Sequence, residues 1–343
     1  MSKEKEAMFY TPLKDSEVKC NLCGRRCLIA EGGRGTCMAR INKGGILYTI
    51  SYARSCSTSV DPIEKKPLFH FHPGSKVLSV SSPFCNFFCR FCNNWTISQQ
   101  RSISYTEKTS PEQVVYAAKQ SKTLGISYTY TEPTTFYEWV YDSSRLANES
   151  GLINTIVTNG YMTPEAVETI SPYLDAATVD FKGGGDPKFY REMMRVPSVE
   201  PIYECLKALK KCKIHVEITN LVVPEYGDSE EYLRELASWV RSHLGQDTPF
   251  HILRFYPNYE IIDLPWTPLA TINQGVKIAR EEGLRYVYAG NVSDHDGENT
   301  NCPKCGKLLI RRDSFNITLW CLTSEMRCPD CQEKIPIVGV HHL

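Results

Sequence analysis

The sequence has no charge of one sign in excess and no long apolar run. Lys plus Arg total 39 and Asp plus Glu total 39, so the formal net charge at neutral pH is zero. Such a balance offers no broad electrostatic footprint for nucleic acid or for an anionic membrane, and neither partner is expected. No stretch of about 18 apolar residues is present to span a bilayer. The polar start MSKEKEAMFY leads into no apolar core of the kind a signal peptide needs, so a cytoplasmic protein is expected. No G-x-G-x-x-G follows the first strand-like segment, which removes the main signal for a Rossmann dinucleotide site.

Cysteine, by contrast, is abundant, with 15 in 343 residues. In a reducing compartment these thiols are not expected to form disulfides. Eleven fall into three local sets, while Cys56, Cys205, Cys212 and Cys321 stand apart. Cys205 and Cys212 lie on the amphipathic pattern PIYECLKALKKCK, where a thiol simply packs. Local sets of thiols in a cytosolic chain point to metal or iron–sulfur sites.

The length accommodates two domains or one large barrel. From residue 77 onward, β-branched runs alternate with helical patterns. Strand-like segments are KVLSVSS, ISYTY (126–130), NTIVTN, AATVDFK, KIHVEITNLVV, FHILRF and RYVYAG. Helices are expected between them, the first opened by Ser110 as N-cap, with Pro111 at its first position and Gln113 closing a capping box. Thr163 is the expected cap of a second helix, with Pro164 inside it. About seven strands with intervening helices argue for a parallel sheet with right-handed crossovers, as a full or partial (β/α) barrel. In a barrel the chemistry sits at the C-terminal strand ends. Those ends carry Glu132 and Pro133; Thr158, Asn159 and Gly160; Asp180 and Lys182; Glu217, Thr219 and Asn220; His251, Arg254 and Tyr256; and Gly290 and Asn291. Any one alone is an ordinary loop residue, but their repetition points to a single polar site.

Just after the first strand, SSPFCNFFCRFCNNW places Cys85, Cys89 and Cys92 in a C-x3-C-x2-C spacing. A structural zinc site takes four protein ligands, and a cubane cluster usually takes four thiolates. A trio with no adjacent fourth partner implies a 4Fe-4S cluster with one iron left open.

With this trio at this place, and Phe91 directly before its third cysteine, the chain resembles the radical S-adenosylmethionine (SAM) superfamily. TYTEP resembles that superfamily's Gly-Gly-Glu-Pro motif, with Tyr130 and Thr131 in the glycine positions and Glu132-Pro133 retained. TNG and DFK resemble motifs of pyruvate formate-lyase activating enzymes. DPIEKKPLFHFHPGS, TNGY, HILRFYP, YVYAGNV and NCPKCGKLLIRR together resemble the radical SAM enzymes of the AmmeMemoRadiSam system, over nearly the whole chain. The resemblance implies that the open iron binds the amino and carboxylate groups of SAM. Reductive cleavage then gives a 5′-deoxyadenosyl radical that abstracts hydrogen, with electrons from a donor such as ferredoxin or flavodoxin. It implies that Glu132 accepts from the SAM ammonium and Lys182 meets its carboxylate, with Thr131, Phe91, Asn159 and Asp180 around the cofactor. Tyr256 stands where a ribose-contacting histidine is usual, and its hydroxyl can still donate a hydrogen bond.

Two further cysteine modules flank the barrel. CNLCGRRCLIAEGGRGTC places Cys20, Cys23, Cys27 and Cys37 among glycine-rich turns. Zinc is the plainer occupant and an auxiliary 4Fe-4S cluster the alternative. Cys302, Cys305, Cys328 and Cys331 form two C-x2-C pairs with strand-like segments between them, a zinc-ribbon or rubredoxin-like pattern for zinc or iron. DPIEKKP (61–67) reads either as a solvated linker or, by the resemblance, as part of the substrate mouth. His341 and His342 are expected to be solvated and without function.

The expected organisation is an N-terminal module with its linker (1–60), a radical SAM partial barrel (61–297) and a C-terminal ribbon (298–343). The expected activity is hydrogen abstraction from a protein or peptide partner. Its alternatives are radical transformation of a small molecule, or a non-catalytic iron–sulfur and zinc-ribbon module serving binding or electron transfer.

Overall fold

A computed structural model of the protein describes residues 4–292 and 296–339. His341 and His342 lie outside the described residues. The chain forms two compact units, each drawn from separate stretches of sequence.

The first unit comprises Met1–Asp61, Val77–Ala177 and Arg191–His215. Strands β1 (Lys76–Ser81, from its second residue onward), β2 (Gly125–Tyr128) and β3 (Ile153–Thr158) pair in parallel, with β2 in the middle. All four residues of β2 are buried, as expected of a parallel strand covered on both faces. Helix α1 (Pro111–Gln120) starts as the sequence predicts: Ser110 accepts from the Gln113 amide, and the Gln113 side chain accepts from the Ser110 amide. Helices α2 (Tyr137–Glu149), α3 (Pro164–Ile170) and α4 (Glu200–Lys211) follow. On α4 the buried face carries Ile202, Cys205, Leu206 and Leu209, so Cys205 is a packing residue.

Thr163 departs from expectation. It makes no side-chain cap on α3; its hydroxyl donates to the carbonyls of Asn21 and Leu22, at 3.0 and 3.2 Å, and ties down the N-terminal segment. That segment contains two three-stranded antiparallel sheets, built from strands of two to four residues. The buried Arg40–Glu138 ion pair, at 2.7 Å, fastens it to α2.

The second unit comprises Pro62–Lys76, Thr178–Tyr190 and Val216–Leu343. It holds β4 (Ala176–Lys182, from its third residue onward), β5 (His215–Val222, from its second), β6 (Phe250–Arg254) and β7 (Val287–Gly290). Strands β5, β6 and β7 pair in parallel, and helices α5 (Glu230–His243) and α6 (Leu269–Glu281) connect them. The seven expected strands of the alternating pattern are therefore present. A three-stranded antiparallel sheet of Thr300–Asn301, Leu308–Asp313 and Asn316–Trp320 follows. Phe69, Tyr288, Leu309, Ile310 and Ile335 share its core. Beside them the buried Glu217 accepts from the His70 amide at 2.7 Å and meets His251 Nε2 at 2.9 Å.

DPIEKKP is not a solvated linker. Ile63–Lys65 forms a single 3-10 turn, and Glu64 and Lys66 are each 1% exposed. Glu64 Oε1 accepts from the Gly74 amide at 2.8 Å, while its Oε2 is buried without a hydrogen-bond partner.

Gly125 tests the register between β2 and β3. A Cβ there would lie 2.0 Å from the Ile153 carbonyl oxygen, so the strands could not keep their spacing. Gly125→Ala should lower stability by about 1–3 kcal/mol or more, the cost of overpacking a close-packed core. An unchanged denaturant midpoint would contradict this register.

Candidate active site

The chain leaves β1 into a loop that backbone hydrogen bonds hold at several points. Phe84 takes a left-handed φ of 87° and donates its amide to the Ile97 carbonyl. The Phe88 and Arg90 amides donate to the carbonyls of Met194 and Met193. Phe84, Phe87 and Phe91 are buried, walling the loop with apolar surface. The Phe87 amide points at Cys85 Sγ at 3.3 Å, and Cys92 Sγ lies 3.2 Å from the Ser98 hydroxyl. Burial, then the charges of Glu132, Cys89 and Cys92, push the Cys85 thiol well above its ordinary pKa. The three thiols and one carboxylate thus occupy one small region. Their sulfurs are not drawn to single-ion spacing: among the described residues, only the C-terminal four cysteines bring three or more ligand atoms within 4.8 Å of one another. Thiols set apart, with an amide aimed at one of them, fit a multi-iron cluster.

Glu132 follows β2 and is 3% exposed. Its Oε1 accepts from the Thr134 amide (3.0 Å), the Thr134 hydroxyl (2.6 Å) and the Thr158 hydroxyl (2.8 Å); its Oε2 accepts from the Asn159 amide (2.8 Å). Every one of these donors is neutral. Burial raises the carboxyl above its ordinary pKa, and the hydrogen bonds pull part of that shift back. The Asn159 side chain donates to Asn86 Oδ1 at 2.7 Å, and its Nδ2 stands 3.9 Å from Cys85 Sγ. Thr131 donates to the Ser82 carbonyl, at the start of the cysteine loop. The first unit therefore brings Cys85, Glu132, Asn159 and Thr131 near one another, and adds Asn86, which sequence reasoning missed. Its only sequence signal was a polar residue amid FCNFFC.

Tyr130 adopts a left-handed φ of 66° and its hydroxyl donates to Asp61, which also accepts from Ser79 at 2.6 Å. This turn ends β2 at Tyr128 rather than at residue 130.

In the second unit, Asp180 accepts from the Thr219 hydroxyl at 2.6 Å and lies 3.5 Å from Lys182 Nζ. Tyr256 donates its hydroxyl to the Asn291 carbonyl and sets its ring edge-on to Trp266. The residues at the ends of β4 and β5, and of β6 and β7, thus meet in pairs.

The two cysteine modules differ in geometry. Cys302 and Cys331 sulfurs lie 3.5 Å apart and those of Cys305 and Cys328 3.6 Å, with all four within 4.8 Å. Each C-x2-C pair closes a turn, with the Gly306 amide on the Cys302 carbonyl and the Gln332 amide on the Cys328 carbonyl. These four can hold one metal ion. Cys20, Cys23, Cys27 and Cys37 instead line a shared recess.

The family model of the radical SAM superfamily matches residues 79–240. The chain is 48% identical to the Methanocaldococcus jannaschii protein MJ0808 over 337 residues, covering 97% of this chain and 99% of that one. Among solved structures, a radical SAM methyltransferase from Sphaerobacter thermophilus aligns at 18% identity and TM-score 0.49, over 69% of this chain and 71% of that one. A domain of a pyruvate-formate lyase-activating enzyme from Bacteroides vulgatus aligns at 17% identity and TM-score 0.42, over 49% of this chain and 99% of that one. The chain belongs to the radical SAM superfamily, with that superfamily's α/β fold, and the family implies an enzyme that uses a 4Fe-4S cluster and SAM. Among the described residues no helix is long and apolar enough to cross a membrane.

A closed four-thiolate site stabilises its surroundings through metal binding. Cys305→Ser should lower bound metal by about one ion per chain and raise protease cleavage within 300–339, while SAM cleavage persists. Unchanged metal content would remove the site; loss of SAM cleavage with the barrel still folded would make it part of the catalytic machinery.

Proposed function

We propose that the protein reductively cleaves SAM at a 4Fe-4S cluster on Cys85, Cys89 and Cys92, and abstracts hydrogen from a protein or peptide partner. The observation that carries the SAM chemistry is the buried Glu132 carboxylate, surrounded by neutral donors and beside Cys85. A buried charge is stable only when paired or well hydrogen-bonded, and a ligand ammonium would complete its environment. When bound, the cluster supplies the electron and the SAM supplies the radical. The chain's own part is to hold three thiolates on a rigid loop, to fix the Glu132 rotamer, and to wall the site with Phe84, Phe87 and Phe91. By the motif resemblance, Lys182 is assigned to the SAM carboxylate, Asp180 to its ribose or amino end, and Tyr256 to the ribose. The protein or peptide partner is supported by the motifs shared with activating enzymes. A ferredoxin- or flavodoxin-class donor and the three-part division at residues 60 and 297 belong to the same reading.

Protein reduced in the presence of SAM should form 5′-deoxyadenosine, and Cys85→Ala, Cys89→Ala and Cys92→Ala together should abolish it. Deuterated cell extract, separated by size, identifies the partner class. Deuterium entering 5′-deoxyadenosine from the macromolecular fraction supports the proposal; deuterium from the small-molecule fraction overturns the partner.

Glu132 gives a pH test. Its pKa is raised when the site lacks a cation, and a bound ammonium would lower it, so binding releases a proton wherever Glu132 is protonated beforehand. SAM affinity should therefore fall as the pH drops into that raised range. Glu132→Gln should flatten the dependence and weaken binding by about 1–3 kcal/mol, the range for losing a hydrogen bond to a charged group. Calorimetry showing unchanged affinity would remove Glu132 from the ligand site.

A further inference from the structure

We infer that Cys20, Cys23, Cys27 and Cys37 hold a second 4Fe-4S cluster, and that Asn86 lies between it and Cys85. The first half rests on the contrast between the two four-cysteine sets. Around one zinc ion with Zn–S near 2.3 Å, tetrahedral geometry puts sulfurs about 3.8 Å apart. The C-terminal set already stands close to that spacing, at 3.5 and 3.6 Å for two of its pairs. The N-terminal set faces one recess but is not gathered to it, since no three of its sulfurs come within 4.8 Å of one another. A cubane cluster binds one thiolate at each iron corner, which keeps the sulfurs apart and fills the space between them.

The recess also contains buried polar donors. Arg40 is 1% exposed and lines the recess; its terminal nitrogens are taken by Glu138 and the Met8 carbonyl, but Nε has no hydrogen-bond partner. Asn86 is fully buried and lines the same recess, where its side chain faces the Cys23 thiol and favours its charged form. Both are donors, as suits a site holding thiolates and sulfides of net negative charge.

The second half rests on where Asn86 points. Its Oδ1 accepts from Asn159 at 2.7 Å and lies 3.8 Å from Cys85 Sγ, and the same residue lines the recess. The backbone carbonyl of Asn86 accepts from Arg25 Nε, and Arg25 lines the recess too. One residue is thus shared between the wall of the four-cysteine recess and the surroundings of Cys85. Two clusters so placed would couple magnetically. This coupling rests on the trio holding its own cluster; the first half does not.

The test is iron, sulfide and zinc content of the full chain, purified and reconstituted without oxygen. With Cys85, Cys89 and Cys92 all replaced by alanine, the protein should keep about four irons and about four acid-labile sulfides per chain. Cys23→Ala with Cys27→Ala, the trio intact, should lose that amount and keep the trio's share. The unaltered protein should carry both shares, which reads the result even where a variant folds poorly. Its reduced electron paramagnetic spectrum should be broader than the sum of the two variants' spectra. A trio variant with no acid-labile sulfide, or an N-terminal set filled by one zinc ion, overturns the second cluster and leaves the proposed function standing. Sulfide retained by the trio variant, with none lost on altering Cys23 and Cys27, overturns the assignment to these cysteines. Two full clusters whose spectra add without broadening overturn the Asn86 contact alone.

Discussion

Four hydrogen bonds to one buried carboxylate organise the reactive end of the first unit. Glu132 follows β2, and its acceptors draw in Thr134 from its own turn and Thr158 and Asn159 from the end of β3. Leaving such a carboxylate buried and unbonded would cost several kcal/mol, so the two strand ends are locked to it. Asn159 is thereby placed to hold Asn86 with its side chain, and Asn86 is the residue after Cys85. On the other flank of the same loop, Asn94 donates to the Tyr130 carbonyl at 2.8 Å. The cysteine loop is thus held on one flank by Asn159, whose own backbone amide is bonded to Glu132, and on the other by Asn94, which reaches Tyr130 two residues before it.

Tyr130 shows what the substitution of a glycine-rich motif entails. A left-handed φ is open to glycine and strained for a tyrosine, by roughly 1–3 kcal/mol. The strain is offset by the hydroxyl's bond to Asp61 and by burial of the turn. The tyrosine takes the left-handed turn, presents its carbonyl to Asn94, and adds a tether through Asp61 to the strand Ser57–Pro62.

The alternating strands and helices were legible in the sequence because each βα repeat is long enough to show its period, and because Ser110, Pro111 and Gln113 form a cap from local contacts alone. Thr163 begins a similar Thr-Pro-Glu pattern, yet its hydroxyl serves the carbonyls of Asn21 and Leu22, some 140 positions away. No local rule could foresee that. The N-terminal strands are too short to display alternation. DPIEKKP misled because charged residues are buried there, and the partners that permit it, such as the Gly74 amide on Glu64, come from the fold. At the site, the cysteine spacing and Glu132 stood out in the sequence. Asn86 did not, since an asparagine between cysteines is distinguished only by what it touches.

The account's central claim is that three thiolates leave one iron open and that SAM takes that place beside Glu132. Mössbauer spectroscopy of ⁵⁷Fe-labelled protein, with Cys23 and Cys27 replaced by alanine so that only the trio's cluster is counted, tests it most directly. Adding SAM should change the isomer shift of one iron of the cluster and leave the other three as they were. Four irons with unaltered parameters at saturating SAM would contradict the claim.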